Sequence, residues 1–265
     1  MKKHLIEDKQ KFMDQAMEFF NCLLDAPLSQ ERGEIEIRVF PNGIPQQYFV
    51  KSEESAADIA YALCNQGIDV YFGVNSRVDR GGAKENVKWL SAFHAEIDYG
   101  TLGHKKESLH EKREDALAAI KAFPMEPSVI VHSGGGFHCY WVLLNPIEVM
   151  RVGLDNIELV NKALSALLGG DTATDISRLL RVPGTYNLKH PDNPRLVTVE
   201  CYSGKRYQYE DFSHLIKDIP CRLYNKETIL ISITILVIPS IIFLVISLIK
   251  SKLFLGKQEY FLNFS

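Results

Sequence analysis

The sequence predicts an α+β or mixed α/β body over about the first 215 residues, and a separate apolar stretch after it. Apolar residues at helical spacing alternate along the chain with short segments of β-strand character. Turn signals also place hairpins among the strands, such as the Pro-Asn-Gly turn at 41–43. A content of 46% hydrophobic and 24% charged residues excludes a disordered, collagen-like or disulfide-dense chain.

The elements follow from local pattern. Phe12, Phe19 and Leu23 share one face of a predicted N-terminal helix, and the second helix stops at Gly67. The predicted helices are 10–25, 54–67, the end of 105–123, and 147–170. The predicted strands are 34–40, 46–50, 69–74, 89–100, 128–133, 137–144 and 196–202. The polar segment 76–87 and the turn-rich stretch 182–194 are predicted loops.

Charge and cysteine content narrow the class of protein. The chain has 30 Lys and Arg against 33 Asp and Glu, so its net charge of −3 argues against a basic coat on nucleic acid. Five widely spaced cysteines without a CxxC pair disfavour a zinc ribbon or a disulfide framework and fit a reducing cytoplasm. The first 12 residues contain no apolar signal-peptide core.

Glu96 and Asp98 are the first candidate site. On a strand they point to the same face, while Ile97 points to the core. Two adjacent carboxylates repel each other unless a cation lies between them, and oxygen ligands suit Mg²⁺ or Mn²⁺. The alternative is the solvated face of an edge strand.

The second candidate is the segment 132–141, His-Ser-Gly-Gly-Gly-Phe-His-Cys-Tyr-Trp. Ser133 and the glycines that follow, Gly135 and Gly136 among them, let the backbone approach a phosphate, to which His138 can donate. The alternative is a flexible hairpin loop with an incidental histidine.

The third candidate is the acidic and basic block from Asp171 to Lys189. Arg178 and Arg181 share one face if their segment is a short helix. Together with Asp171, Asp175 and Lys189, these arginines suit a site that holds both metal and triphosphate. The alternative is a surface cluster of ion pairs. Taken together, the three candidates suit nucleotidyl transfer by two metal ions.

The sequence resembles the archaeo-eukaryotic primase superfamily in three segments, which occur in the order FHAEIDYG, SGGGFHCYW and GGD…DISRLLRVPGTYNLK. The resemblance is to RepB-like and primase-polymerase domains of plasmid, phage and mobile-element replication proteins in particular. The resemblance covers about residues 10–215. It implies that Glu96, Asp98 and Asp171 bind metal, with Asp175 as the alternative third ligand, and that His138 binds the phosphates of the incoming nucleotide. Arg178, Arg181 and Lys189 match basic positions near the triphosphate, and Arg77 is a weaker candidate for phosphate or template contact. Glu96 stands where Asp is commoner in the family.

The resemblance further implies an RRM-like antiparallel sheet backed by helices, joined to a second α/β module. The implied activity is primer synthesis from NTPs or dNTPs on a single-stranded DNA template in the cytoplasm, with Mg²⁺ or Mn²⁺ as cofactor and a replicative helicase as a possible partner. The alternative is a catalytically idle nucleotide- or DNA-binding module, truncated from a longer primase-helicase. A rolling-circle relaxase ranks last, because the sequence contains no His-hydrophobic-His metal motif.

The C-terminal stretch has a different character. Residues 228–249 contain no charged residue, and as a helix of about 33 Å they match a bilayer core of about 30 Å. The sequence therefore predicts a primase-like domain over 1–215, a linker over 216–227, a transmembrane helix over 228–249 and a short polar tail over 250–265. Whether this stretch is a membrane anchor or an accidental tail on a truncated replication protein stays open.

Overall fold

The computed structural model describes residues 5–100 and 109–217, and it confirms the α+β class. The helices are α1 (Lys9–Ser29), α2 (Glu53–Asn65), α3 (Arg113–Ala122), α4 (Val149–Val152), α5 (Leu154–Leu167) and α6 (Ser213–Lys217). The strands are β1 (Ile35–Val39), β2 (Gln46–Val50), β3 (Tyr71–Gly73), β4 (Trp89–Asp98), β5 (Val129–His132), β6 (Gly136–Glu148), β7 (Leu179–Arg181), β8 (Tyr186–Asn187), β9 (Arg195–Leu196) and β10 (Thr198–Tyr202). Short 3₁₀ turns lie at Pro41–Gly43, Lys84–Asn86 and Tyr209–Phe212.

The strands form two four-stranded sheets and one ribbon. Sheet I has the order β2-β1-β3-β7, sheet II has the order β10-β5-β6-β4, and β8 pairs with β9. The strand pairs of all three are antiparallel. β7 and β4 are therefore edge strands of their sheets, which leaves their ends available to a site.

A single hydrophobic cluster joins α1 and α2 to one face of each sheet. Asp8 caps α1 by accepting the Lys11 amide at 3.0 Å. Within the cluster, the Phe19 ring meets Phe72 of sheet I at 5.2 Å and Tyr140 of sheet II at 5.6 Å, both edge to face. The first helix thus ties the two sheets together through one aromatic side chain.

The second face of sheet II is covered as well. Phe93 of β4 packs against Phe212 at 4.4 Å, and Trp141 of β6 packs against Phe123 after α3 at 6.1 Å. Because both faces are buried over most of its area, sheet II can expose functional groups only near strand ends.

Two helices expected from the sequence differ from the structure, and the predicted loop 182–194 contains the short strand β8. The predicted helix over 147–170 begins later, because β6 continues to Glu148 by pairing with Trp89, and Gly153, at φ +84°, separates α4 from α5. The segment with Arg178 and Arg181 is not a helix. Residues Leu179–Arg181 form β7, because they pair with β3, and this pairing overrides the helical spacing of the arginines.

The predicted transmembrane helix over 228–249 and the polar tail over 250–265 lie outside the described residues, as does most of the predicted linker. Among residues 5–100 and 109–217, no helix combines the length and the hydropathy that crossing a bilayer requires. The predicted domain limits stay predictions.

Candidate active site between two sheet edges

The carboxylates of Glu96 and Asp98 project from one face at the end of β4. Both residues are partly exposed, whereas Ile97 between them is fully buried, as the alternation predicts. In the register with β6, Glu96 lies opposite His138 and Asp98 lies opposite Gly136. The first two sequence motifs therefore meet at neighbouring positions of one strand pair.

The glycine-rich turn fits closely around Asp98. A Cβ on Gly136 would lie 2.5 Å from the Asp98 Oδ1 and 2.8 Å from the Ile97 carbonyl oxygen, so a larger residue does not fit. The Ser133 amide and hydroxyl both donate to the Gly136 carbonyl, at 2.8 and 3.0 Å, and close the turn. Gly135 is half-exposed at the tip and lines a cavity of about 420 Å³. Phosphate contact by this turn stays a prediction.

His138 lies in the wall of the site as a neutral imidazole. Its ring is buried, and its Nε2 lies 3.8 Å from the Glu96 Oε2. Burial, together with the charges of Arg181 and Arg178, holds the pKa of His138 well below its ordinary value. We therefore treat the contact with Glu96 as one between a carboxylate and an uncharged ring, which leaves the imidazole free to donate one hydrogen bond.

Arg178 brings the third motif to the carboxylates. Its Nε donates to the Glu96 Oε1 at 2.5 Å. Burial raises the pKa of Glu96, Arg178 opposes this effect, and the charges of Asp98 and Asp171 add to it. Burial also acts against the charge of Arg178, but the surrounding carboxylates outweigh it and raise the pKa of Arg178. The arginine therefore stays charged and offsets the repulsion among the acidic groups.

Asp171 and Asp175 lie on the loop between α5 and β7. The Asp171 amide donates to the Glu96 carbonyl oxygen at 2.8 Å, and the Asp171 side chain is exposed. The Asp175 Oδ1 instead accepts the Ser177 hydroxyl at 2.7 Å. Asp171 is thus attached directly to the strand that carries Glu96.

The other two basic residues of the third motif, Arg181 and Lys189, lie on different elements of the fold. Arg181 Nη2 lies 3.2 Å from the Asp69 Oδ1 and 3.1 Å from the Tyr71 hydroxyl, and its guanidinium lies 5.1 Å from the centre of the Tyr71 ring. Lys189 is exposed on the loop after β8. Arg178 and Arg181 therefore both lie at the β7 edge of sheet I, but Arg181 pairs with Asp69 and not with Glu96.

Arg77 lies inside the molecule. Its side chain has no exposed surface, and it donates to the Glu36 carboxylate and to the carbonyl oxygens of Asn75 and Ser177, each at 2.8 Å. The role of Arg77 as a phosphate or template contact stays a prediction. Since these contacts occupy the guanidinium, we leave Arg77 out of the proposed site.

The fold of the chain has counterparts among solved structures. The chain is similar to the archaeo-eukaryotic primase domain of the cyanophage S-2L primase-polymerase, with a TM-score of 0.55 and 18% identity over 77% of this chain and 97% of that domain. The chain has a primase-polymerase fold. It is also similar to primase RepB′, with a TM-score of 0.51 and 16% identity over 79% of this chain and 61% of that one.

The catalytic domain of RepB′ in complex with initiator DNA is a further structure with the primase-polymerase fold. It has a TM-score of 0.51 and 16% identity over 77% of this chain and 93% of that domain. No protein-family model and no curated protein sequence matches the chain. The likeness that the sequence motifs suggested is thus confirmed at the level of the fold.

The acidic side chains of this primase-polymerase fold suit a divalent cation in chemistry. Glu96, Asp98 and Asp171 offer carboxylate oxygens, the donors that Mg²⁺ and Mn²⁺ prefer. The charges of Asp98 and Asp171 raise the pKa of Glu96, so a cation among them would relieve the repulsion. In the parts of the chain that the structure describes, however, no three His, Cys, Asp or Glu side chains form a ready-made metal site.

One residue that the sequence reasoning missed supports the site from behind. Asn161 of α5 is fully buried, its Oδ1 accepts the His94 amide at 3.0 Å, and its Nδ2 donates to the Thr174 carbonyl oxygen at 3.1 Å. It thereby fixes the loop of Asp171 and Asp175 against β4. An asparagine within the apolar pattern of a predicted helix was the available signal.

Proposed function

We propose that this chain is a template-directed nucleotidyltransferase of the primase-polymerase type, making primers on single-stranded DNA during replication of a plasmid, phage or mobile element. One observation carries the proposal. Glu96 and Asp98, at the edge of sheet II, lie beside the neutral ring of His138 and opposite Arg178, which comes from the edge of sheet I. Glu96 and Asp98, which we call the acidic edge, thus face the cationic side chain of Arg178. This arrangement suits a metal-bound triphosphate.

Each group has a distinct task in this proposal. Bound Mg²⁺ or Mn²⁺ supplies positive charge at the α-phosphate and at the attacking 3′-oxygen. Glu96, Asp98 and one of Asp171 and Asp175 hold the cations. Arg178, Arg181 and Lys189 pair with the triphosphate oxygens, while His138 donates a hydrogen bond to one of them. Ser133, Gly135 and Gly136 offer the backbone of the turn.

Arg178 gives the site a way to respond to its ligands. In the structure it neutralises Glu96. A triphosphate offers the guanidinium several acceptor oxygens, so binding of nucleotide and cation together would let Arg178 move from the carboxylate to the phosphates. Glu96 would then face the cation without losing a positive neighbour.

The structure of the RepB′ catalytic domain in complex with initiator DNA supports DNA binding by this chain. Single-stranded DNA is the proposed template. NTPs or dNTPs are the proposed second substrate. Cooperation with a replicative helicase and membrane association through 228–249 remain predictions from the sequence.

A catalytically idle nucleotide- or DNA-binding module is the second candidate. The observation that favours it is the ion pair between Glu96 and Arg178, which occupies one of the carboxylates. Within the described residues, the acidic side chains also do not converge as a three-ligand metal site. Such a module would bind nucleotide or DNA without joining nucleotides.

Primer synthesis on a single-stranded template with Mg²⁺ or Mn²⁺ and labelled nucleotides tests the proposal. Asp98→Asn should abolish synthesis, while Asp14→Asn, which changes an exposed carboxylate on α1, should not. Nucleotide binding by the wild-type chain without synthesis would favour the idle module. Full activity in Asp98→Asn would refute the assignment of the acidic edge.

A further inference from the structure

An aromatic pair lies at the end of sheet I, beyond Arg181. Phe40 follows the buried Val39 at the end of β1, and precedes the turn Pro41–Gly43, where Asn42 has a φ of 53°. The residue is 43% exposed. The ring meets that of Tyr71 edge to face at 5.9 Å. A large aromatic side chain exposed by a tight turn is available for stacking with a ligand.

The pair forms one wall of a cavity of about 720 Å³. Three prolines and Leu188 add apolar surface, and three amide side chains add hydrogen-bonding groups. The prolines are Pro41, Pro191 and Pro194, and the amides are Asn42, Asn65 and Gln66. Among the described lining residues, Asp69 alone carries a charge, and its Oδ1 accepts from Arg181 Nη2 at 3.2 Å and from the Leu188 amide at 3.0 Å.

These walls suit an uncharged aromatic ligand with hydrogen-bonding edges, which describes a nucleobase. Arg181 lies at the margin, over the Tyr71 ring, so a phosphate attached to such a base would meet a cation there. The charge of Arg181 also lowers the pKa of His138, so the margin of the cavity lies near the candidate active site.

We propose that this cavity binds bases of the single-stranded DNA template, an inference that rests on the proposed function. A nucleotide triphosphate is the less suitable occupant, because none of the described residues that line the cavity is a cation able to balance its several charges, whereas a strand carries one charge per nucleotide. The template would then cross the end of sheet I, with its bases on Phe40 and Tyr71 and its backbone towards Arg181.

Binding of fluorescently labelled single-stranded DNA, measured by anisotropy without metal or nucleotide, tests the inference. Phe40→Ala should weaken binding about five- to 150-fold, the range that loss of one stacking side chain gives. Ile44→Ala is the matched control, because Ile44 is 65% exposed in the same connection but does not line the cavity. Tyr71→Phe keeps the ring and should bind within about twofold of wild type.

The outcomes separate this inference from the proposed function. If Asp98→Asn and wild type bind DNA equally and only Phe40→Ala is impaired, the cavity is a template site even in a chain that makes no primers. Equal binding by Phe40→Ala and Ile44→Ala, or no binding by wild type, would overturn the inference. Unchanged DNA affinity with weaker binding of a fluorescent nucleotide would overturn it too, since the occupant would then be the incoming nucleotide.

Discussion

The Arg178 Nε donates to the Glu96 Oε1 at 2.5 Å, and this ion pair joins the edge of sheet I to the edge of sheet II. Glu96 lies on β4, and Arg178 immediately precedes β7. A ligand that binds either residue therefore changes a contact between the two sheets. The same contact occupies one oxygen of the Glu96 carboxylate, which is part of the candidate active site.

Arg178→Ala should lower the free energy of unfolding by about 2 kcal/mol, because it leaves a largely buried carboxylate without its cation. The value is discounted because Arg178 is 29% exposed. Urea denaturation at pH 7.5 measures the change. Glu96→Gln in the same background should recover part of the loss, and simple additivity of the two changes would contradict a direct pair.

Arg77→Ala should cost about 3 kcal/mol or more, because it removes a fully buried partner of Glu36 and three hydrogen bonds. Arg80→Ala is the control: Arg80 is 74% exposed and lies 3.4 Å from Glu34, so its loss should cost less than about 0.5 kcal/mol. Thermal or urea unfolding distinguishes the two. A stable Arg77→Ala chain with impaired nucleotide binding would instead restore the role predicted from the sequence.

The contrast between Glu96 and Arg77 shows what the sequence reveals. Strand alternation is local, so it placed Glu96 and Asp98 on one face correctly. The burial of Arg77 depends on Glu36 and Ser177, which are 41 and 100 residues away. Likewise, β7 exists because β3 lies beside it, and the spacing of Arg178 and Arg181 carries no trace of that pairing. The cavity beside Phe40 also depends on segments distant in sequence.

Gly136→Ala should move the Asp98 carboxylate, since the new Cβ would lie 2.5 Å from its Oδ1. We expect weaker Mn²⁺ binding and at least a tenfold loss of primer synthesis, with the fold kept. Gly67→Asn is the control: this glycine lies just after α2 at φ +80° with open space around it, where asparagine is tolerated. Calorimetric titration with Mn²⁺ measures the effect, and unchanged affinity in Gly136→Ala would contradict it.

His94 should make the metal-free protein sensitive to acid. Burial lowers the pKa of His94 to about 3, and Arg178 acts in the same direction. The unfolded chain takes up this proton below about pH 6.5, whereas the folded chain does not until about pH 3. The contribution of neutral His94 to the free energy of unfolding is thus fully present above about pH 6.5. Below that pH it falls by about 1.4 kcal/mol per pH unit.

His94→Leu should remove this dependence. Both ring nitrogens of His94 are buried, and neither has a partner among the described residues, so the apolar replacement should be neutral or stabilising at pH 7.5. Between pH 7.5 and pH 5.0, wild type should lose about 2 kcal/mol more than the variant. Urea unfolding in the presence of a chelator measures both losses, and equal losses would show that His94 is protonated in the folded state.

Asp171 and Asp175 can be distinguished by amide substitution. The Asp171 amide bonds to the Glu96 carbonyl, and the charge of Asp171 raises the pKa of Glu96. Asp175 is engaged by the Ser177 hydroxyl, and its charge acts on Arg178 and His94. Asp171 therefore belongs to the acidic edge, and Asp175 to the surroundings of the arginine.

We accordingly expect Asp171→Asn to weaken Mn²⁺ binding at least tenfold and to abolish primer synthesis. Asp175→Asn should leave the affinity for Mn²⁺ within about threefold, and its main effect should be weaker nucleotide binding through a less firmly held Arg178. Titration with Mn²⁺ and with nucleotide separates the two effects. The reverse pattern would assign Asp175 as the third ligand, in which case the loop after α5 must rearrange when the cation binds, because the Asp175 carboxylate would have to leave Ser177.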